Sequence, residues 1–214
     1  TIGVLCVLLV AAAANAAFIV EPGPGGKATA NYVYTDGTAA SLSISGLAVG
    51  LTPAVQSIYG GNGANDIYTF SYTPGTDADN TVLAAGTDLG NGDLATGVVG
   101  GGSGKYNVYI TWPSTTNANV AGSRITVTSD GAPIVLAAVD NNATAPTPNA
   151  TDKWLMLGTI SLTAGNTYTV EQRANVASFV SQRNAGVMWE AVPEPATMSL
   201  LGMAGLAFLL RRRR

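Results

Sequence analysis

The 214-residue chain has no histidine, and its one cysteine, Cys6, falls within ten residues of the start. Without these side chains, Ser-His-Asp and Cys-His nucleophilic arrangements are excluded, as are His-based zinc sites. Charge is scarce as well, at 11% of residues. Between Ala17 and Val192, nine Asp and three Glu stand against three Lys and three Arg, an excess of six negative charges. With no basic patch there, binding to DNA or RNA through phosphate contacts is excluded. No Gly-rich segment lies between a strand and a helix, so Gly100 to Gly104 reads as a turn and not as a phosphate cradle. Glycoside hydrolysis needs only two carboxylates flanking one bond. Glu171 and Glu190 are the Glu residues in candidate strands, and the sequence favours solvated, outward-facing positions for both, so no catalytic residue is expected.

The two ends carry what hydrophobicity there is in long runs. Ile2 to Val10 is apolar and Ala11 to Ala17 is small, with Ala14-Asn15-Ala16 fitting an A-x-A cleavage site. The reading is a signal peptide over 1–16, cut between Ala16 and Ala17. With no initiator Met and no basic n-region, it reads as truncated at its start. Cys6 also fits a lipoprotein signal, but the downstream Ala-Asn-Ala favours ordinary signal peptidase. At the other end, Pro193-Glu194-Pro195 precedes an apolar run, Ala196 to Leu210, and four arginines, Arg211, Arg212, Arg213 and Arg214. Fifteen apolar residues make about 22 Å of helix, short of the roughly 30 Å hydrocarbon core unless the arginine stems snorkel. Arginines favour the cytoplasmic side, which places everything before Pro193 outside. Motif, helix and basic cluster together resemble the PEP-CTERM sorting signal, which implies recognition by an exosortase at the cell envelope. An ordinary C-terminal membrane anchor is the alternative for residues 192–214.

Between these ends, about 175 residues suffice for one domain with a core. The exported part contains no cysteine, so packing, with or without a bound ion, must hold it. Short apolar or alternating segments separated by Gly, Asn, Asp and Pro predict strands at Asn31–Tyr34, Ser41–Ile44, Val55–Tyr59 and Asp66–Tyr72. Further strands are predicted at Lys105–Trp112, Arg124–Thr128, Ile134–Val139, Lys153–Leu162, Tyr168–Gln172 and Gly186–Val192. In the first of these, Tyr106, Val108, Ile110 and Trp112 share one face, with Lys105, Asn107, Tyr109 and Thr111 on the other. No segment keeps a helical period for three turns. The expected fold of 17–191 is an all-β, antiparallel, jelly-roll-like β-sandwich, flanked by an N-terminal signal helix and a C-terminal hydrophobic helix. Glu21 to Ala30 reads as a loose lead-in, and Thr73 to Gly104 and Asn141 to Asp152 as long loops.

Two kinds of site suggest themselves. Asp77, Asp79, Asn80, Asp88, Asn91 and Asp93 fall in one Gly-rich loop and supply the hard oxygens that calcium takes. Plain turns demand the same residues, and the spacing matches no EF-hand. For a polysaccharide, exposed rings are needed, and Tyr109, Tyr59, Tyr68 and Tyr72 are the candidates. Trp112, Trp154 and Trp189 are in phase with apolar neighbours and read as core.

Tyr106-Asn107-Val108-Tyr109-Ile110-Thr111-Trp112-Pro113, Ile134 to Asp140 and Trp154 to Gly165 together resemble the golvesin C-terminal-like domain seen beside xanthan-lyase-type enzymes. The resemblance spans Asp66 to Val192 and implies a β-sandwich similar to carbohydrate-binding modules. It departs at Met188-Trp189-Glu190-Ala191, where that family has an Ala-Asp-Ala ending. The expected protein is a non-enzymatic, exported surface or matrix component associated with exopolysaccharide or biofilm. Its expected partners are signal peptidase, exosortase and the membrane. The alternative is a carbohydrate-binding module or an accessory to a polysaccharide-degrading enzyme.

Overall fold

A computed structural model describes residues 16–194 apart from 24, 36–40, 45–47, 53–55, 61–65, 117, 119, 143–149 and 176–181. The expected signal helix and C-terminal hydrophobic helix lie outside the described residues, as do Pro195 and the four arginines. Among the described residues no helix is long and apolar enough to cross a membrane.

The described residues form fourteen strands and one short 3-10 turn (Thr29–Asn31), joined by turns and loops. In chain order the strands are β1 (Ala17–Val20), β2 (Tyr32–Thr35), β3 (Ser41–Ile44), β4 (Gln56–Gly60), β5 (Ile67–Tyr72), β6 (Asp88–Gly90) and β7 (Asp93–Leu94). They continue as β8 (Gly104–Thr111), β9 (Ser123–Val127), β10 (Ile134–Val139), β11 (Leu155–Leu162), β12 (Tyr168–Ala174), β13 (Gln182–Asn184) and β14 (Gly186–Ala191). All pair antiparallel, in a four-stranded sheet β1-β14-β8-β11 and a five-stranded sheet β10-β9-β12-β5-β2. A smaller sheet, β13-β4-β3, and the hairpin β6-β7 complete the set.

Alternation places the core between the two large sheets. In β5 the pattern buries Tyr68, Phe70 and Tyr72 and leaves the residues between them half-exposed, and β12 does likewise with Tyr168, Val170 and Gln172. The apolar ones meet Phe18, Val20, Tyr106, Val108, Ile110, Val187 and Trp189 of the four-stranded sheet in one continuous cluster. Tyr72 sits at its centre. Its ring stacks on Phe18 at 4.7 Å, meets Tyr106 edge-on at 5.7 Å and lies 5.7 Å from Trp189, touching three strands of the opposite sheet. Such ring pairs contribute about 0.5–1.5 kcal/mol each beyond area burial.

The four-stranded sheet is buried on its outer face too. Ala17, Ile19, Tyr109, Trp154 and Met188 form a second apolar layer, covered by Ala48, Leu83, Leu89 and Ala95. The cover comes from the 73–104 excursion and the 48–51 turn, so the stretch read as a loop forms a roof carrying the β6-β7 hairpin. β14 is consequently buried along its whole length.

The lead-in after β1 is fixed as well, contrary to the expectation of a loose segment. Buried Glu21 accepts hydrogen bonds from Lys27 N at 2.6 Å and Thr52 N at 2.5 Å. Lys27 Nζ donates to Thr81 Oγ1 at 2.8 Å and to Gly50 O, and burial lowers its pKa despite the neighbouring Glu21.

Replacing Tyr72 by Ala is expected to cost about 3–5 kcal/mol, the range for large aromatic truncations. Val33→Thr, at an exposed site of the outermost strand, is expected to change stability by about 0.5 kcal/mol or less. Urea denaturation of both variants tests the ranking.

Candidate functional site

The last strand delivers the chain to one end of the sandwich. β14 pairs with β8 up to Ala191↔Tyr106, and Val192 N donates to Lys105 O at 2.9 Å. Pro193 has no N–H to continue the ladder, so the chain leaves the sheet there. Pro193 is half-buried and Glu194 is exposed. Open grooves flank this exit. One, of about 560 Å³, is lined by Gly104, Lys105, Asp130, Ser161, Leu162, Thr163 and Val192 together with Pro193 and Glu194. The other, of about 500 Å³, carries Thr96, Val98 to Gly100 and Gly102 to Tyr106 against the same Pro193 and Glu194.

Asp130 organises the first groove. Its carboxylate accepts from Thr163 Oγ1 and Tyr168 OH, and these bonds hold its pKa below the usual carboxylate value. Ser161 O accepts from Asp130 N at 3.2 Å, tying the loop to β11.

The second groove is roofed by a clamp on Glu190. That carboxylate is fully buried on the outer face of β14, and Thr96 N donates to its Oε1 at 2.8 Å. Thr96 Oγ1 donates to Ala191 O at 2.7 Å. The next residue, Gly97, has φ +67°, and a Cβ there would lie 2.5 Å from Ala85 N, so only glycine lets the clamp close. Burial raises the Glu190 pKa against the Thr96 and Gly97 hydrogen bonds, with Asp79 adding repulsion. Burial also raises Asp79 and Asp93. Glu171, by contrast, lies on the outer face of the other sheet, bonded to Arg173 at 2.9 Å. The two glutamates therefore stand on opposite sides of the sandwich and flank no common bond.

The acidic loop divides. Asp77 Oδ2 accepts from Thr73 N at 2.7 Å and Asn31 Nδ2 at 3.0 Å, closing a turn. Asp79 Oδ2 accepts from Gly100 N at 2.7 Å, and these two acids share a groove of about 370 Å³. Asp88, Asn91 and Asp93 belong to the β6-β7 hairpin, where Asp88 Oδ1 accepts from Gly90 N at 2.8 Å and Asn91 Nδ2 donates to Trp154 O at 3.1 Å. Asn80 substitutes for a strand: Oδ1 accepts from Ile19 N at 2.9 Å and Nδ2 donates to Ile19 O at 2.7 Å, sealing the free edge of β1. Among the described residues no three acidic, His or Cys side chains group as metal ligands. The candidate calcium ligands thus make separate turn, hairpin and edge contacts.

The candidate sugar-stacking tyrosines do need a correction. Tyr68, Tyr72 and Tyr109 are 0%, 0% and 1% exposed, so none offers a ring face to a sugar. Tyr109 does face away from Trp112, as alternation required, but the roof covers it, and burial pushes its hydroxyl up to about 12. The side chain of Tyr59 lies outside the described residues. Trp112, Trp154 and Trp189 are all core, as expected.

Sequence reasoning missed a polar cluster at the far end of the sandwich. Gln172, Ser123, Asn141, Gln182 and Asn184 are all buried there. Gln172 Nε2 donates to Ser123 Oγ at 3.0 Å and Arg183 O at 3.1 Å, and Asn184 Nδ2 donates to Gln172 Oε1 at 2.9 Å. Both side-chain atoms of Gln182, Asn184 Oδ1 and Asn141 Nδ2 have no hydrogen-bond partner among the described residues. Polar residues at strand ends resemble ordinary turn residues in sequence, so no pattern announced this group.

Because hydrogen bonds depress the Asp130 pKa in the folded state, the stability it contributes is present above the unfolded carboxylate pKa. It is lost as pH falls through the folded value. Asp130→Asn is expected to lower the urea midpoint at pH 7 and leave it unchanged well below both pKa values. Equal losses at both pH values would contradict this.

Comparisons with known proteins agree with this geometry. The chain is similar to a structure of Paenibacillus xanthan lyase, with 19% identity and a TM-score of 0.52 over 84% of this chain. It spans only 13% of that lyase, and at this identity the likeness shows the fold alone. It is more distantly similar to a CBM35 from Cellvibrio japonicus (13% identity, TM-score 0.40, 83% of this chain and 94% of that one). A GH26-CBM35 mannanase of Podospora anserina is comparably distant (15% identity, TM-score 0.41, 85% and 29%). No curated protein matches. Residues 191–214 match the PEP-CTERM protein-sorting motif, beginning at the last residue of β14. The chain thus carries an exosortase-type sorting signal, the mark of a secreted, envelope-sorted protein, directly behind an antiparallel β-sandwich.

Proposed function

We propose that this chain is a non-enzymatic protein of the cell surface or extracellular matrix, delivered by an exosortase and resident in exopolysaccharide-rich biofilm. The observation that carries the reading is the placement of the motif. The ladder of β14 ends at Ala191, the following residue makes one further backbone bond, and Pro193-Glu194 emerges into open grooves. An enzyme can thus act on the chain beyond Glu194 without breaking the described ladder of β14. The separation of Glu171 from Glu190 supports a role without catalysis.

Carbohydrate binding is the second reading. Unpartnered polar atoms of Gln182, Asn184 and Asn141 are uncharged donors and acceptors of the kind sugar hydroxyls pair with, but all three side chains are buried. The described surface offers no exposed aromatic ring for stacking, which ranks this reading below the first.

Replacing Pro193, Glu194 and Pro195 by alanine tests the proposal in a producing bacterium. The altered protein is expected to accumulate in the membrane fraction with its tail intact and its sandwich folded. Wild-type processing and distribution of the variant would contradict the sorting role.

A further inference from the structure

The inference concerns the start of the exported chain and rests on the reading that the leader is cut between Ala16 and Ala17. Ala17 opens β1, and antiparallel pairing sets it opposite Glu190. Its backbone faces the other way. Ala17 N donates to Thr81 O at 3.2 Å, and Ala17 O accepts from Thr81 N at 3.1 Å and Asn80 N at 3.0 Å. The edge toward Glu190 is therefore of the non-hydrogen-bonded kind, in which opposed Cα atoms come within about 4.5 Å and side chains stand closest. Both side chains project to the outer face, since Ala17 and the flanking Met188 belong to the outer layer.

Glu190 is short of a partner there. It is wholly buried, its donors are the backbone of Thr96, on Oε1, and of Gly97, and Oε2 has no hydrogen-bond partner among the described residues. Asp79 adds a like charge. Lys27 on this side is engaged with Thr81 and Gly50, and the stem of Lys153 lies against Gly90 of the hairpin. A buried carboxylate is costly unless paired with an opposite charge.

We propose that removal of the leader releases an α-ammonium at Ala17 that pairs with Glu190, so that export processing itself completes the outer layer. Hydrolysis breaks the Ala16–Ala17 peptide bond. Water supplies the hydroxyl of the new Ala16 carboxyl and a proton to the Ala17 nitrogen, which takes up a second proton and is largely an ammonium at neutral pH. That group has three donors, enough to keep Thr81 O and reach Oε2. Ala16 and Ala17 are 1% and 0% exposed in the fold, so the cut must precede docking of β1.

N-terminal sequencing of the exported protein comes first. A start at Ala17 is expected, and any other start overturns both the leader reading and the proposal. Full chains, tail included, beginning at Ala17 or at Ala16 are then compared, each with and without Glu190→Gln, by urea denaturation. Retaining Ala16 is expected to reduce the folding constant by at least about tenfold when Glu190 is present and much less in E190Q. Equal effects in both backgrounds would overturn the ion pair and leave the leader reading standing. If E190Q does not fold, acetylation of the Ala17 amine in the wild-type chain replaces it. Acetylation is expected to produce a similar loss, and no change would overturn the pairing.

Discussion

The structure depends on one strand being closed from water on both faces. β14 runs between β1 and β8, with Val187 and Trp189 turned to the shared core and Met188 and Glu190 to the outer layer. A strand buried on both faces needs a second sheet below it and a cover above. The aromatic cluster around Tyr72 supplies the first, and the 73–104 excursion supplies the second. The cover is held by few but directional contacts: Thr96 on Glu190 and Ala191, Gly100 on Asp79, and Asn80 on Ile19. A domain without disulfides is thus held by packing on one side of the sheet and by packing plus polar clamps on the other.

That arrangement sets the first strand beside the strand that leads into the sorting motif. β1 lies beside β14, so the expected mature start at Ala17 is the cross-strand neighbour of Glu190, a few residues before the Pro-Glu-Pro motif. Prolines end the ladder at the point where the domain is complete. The sandwich therefore ends where the sorting signal begins, which suits a cargo whose tail is handled by a separate enzyme.

Much of this was legible in the residues. Period-two alternation located β5, β8, β9 and β12, and turn residues bounded them, because burial on one face leaves a strong imprint on sequence. The tail was readable because its three parts are contiguous. The reading failed where burial is supplied by distant segments. Tyr109 alternates like a surface residue and becomes core only because Leu83, Leu89 and Ala95 fold over it. β1 was hidden because Ala17–Val20 continues the apolar leader without a break. Asp77, Asp79 and Asn80 look like metal ligands in a line of text, yet each is used by a backbone group brought from elsewhere in the chain. β13 is three polar residues, Gln-Arg-Asn, whose burial no hydrophobic pattern could signal.

Native-state hydrogen exchange most directly tests the claim that the excursion is a roof. The amides of Thr96 and Gly100, bonded to Glu190 and Asp79, are expected to be protected to a degree approaching that of the β14 amides from Val187 to Ala191. Exchange of Thr96 and Gly100 at rates typical of an open loop, with β14 protected, would contradict the account. The outer layer would then be loosely covered, and Glu190 would not be a buried anchor.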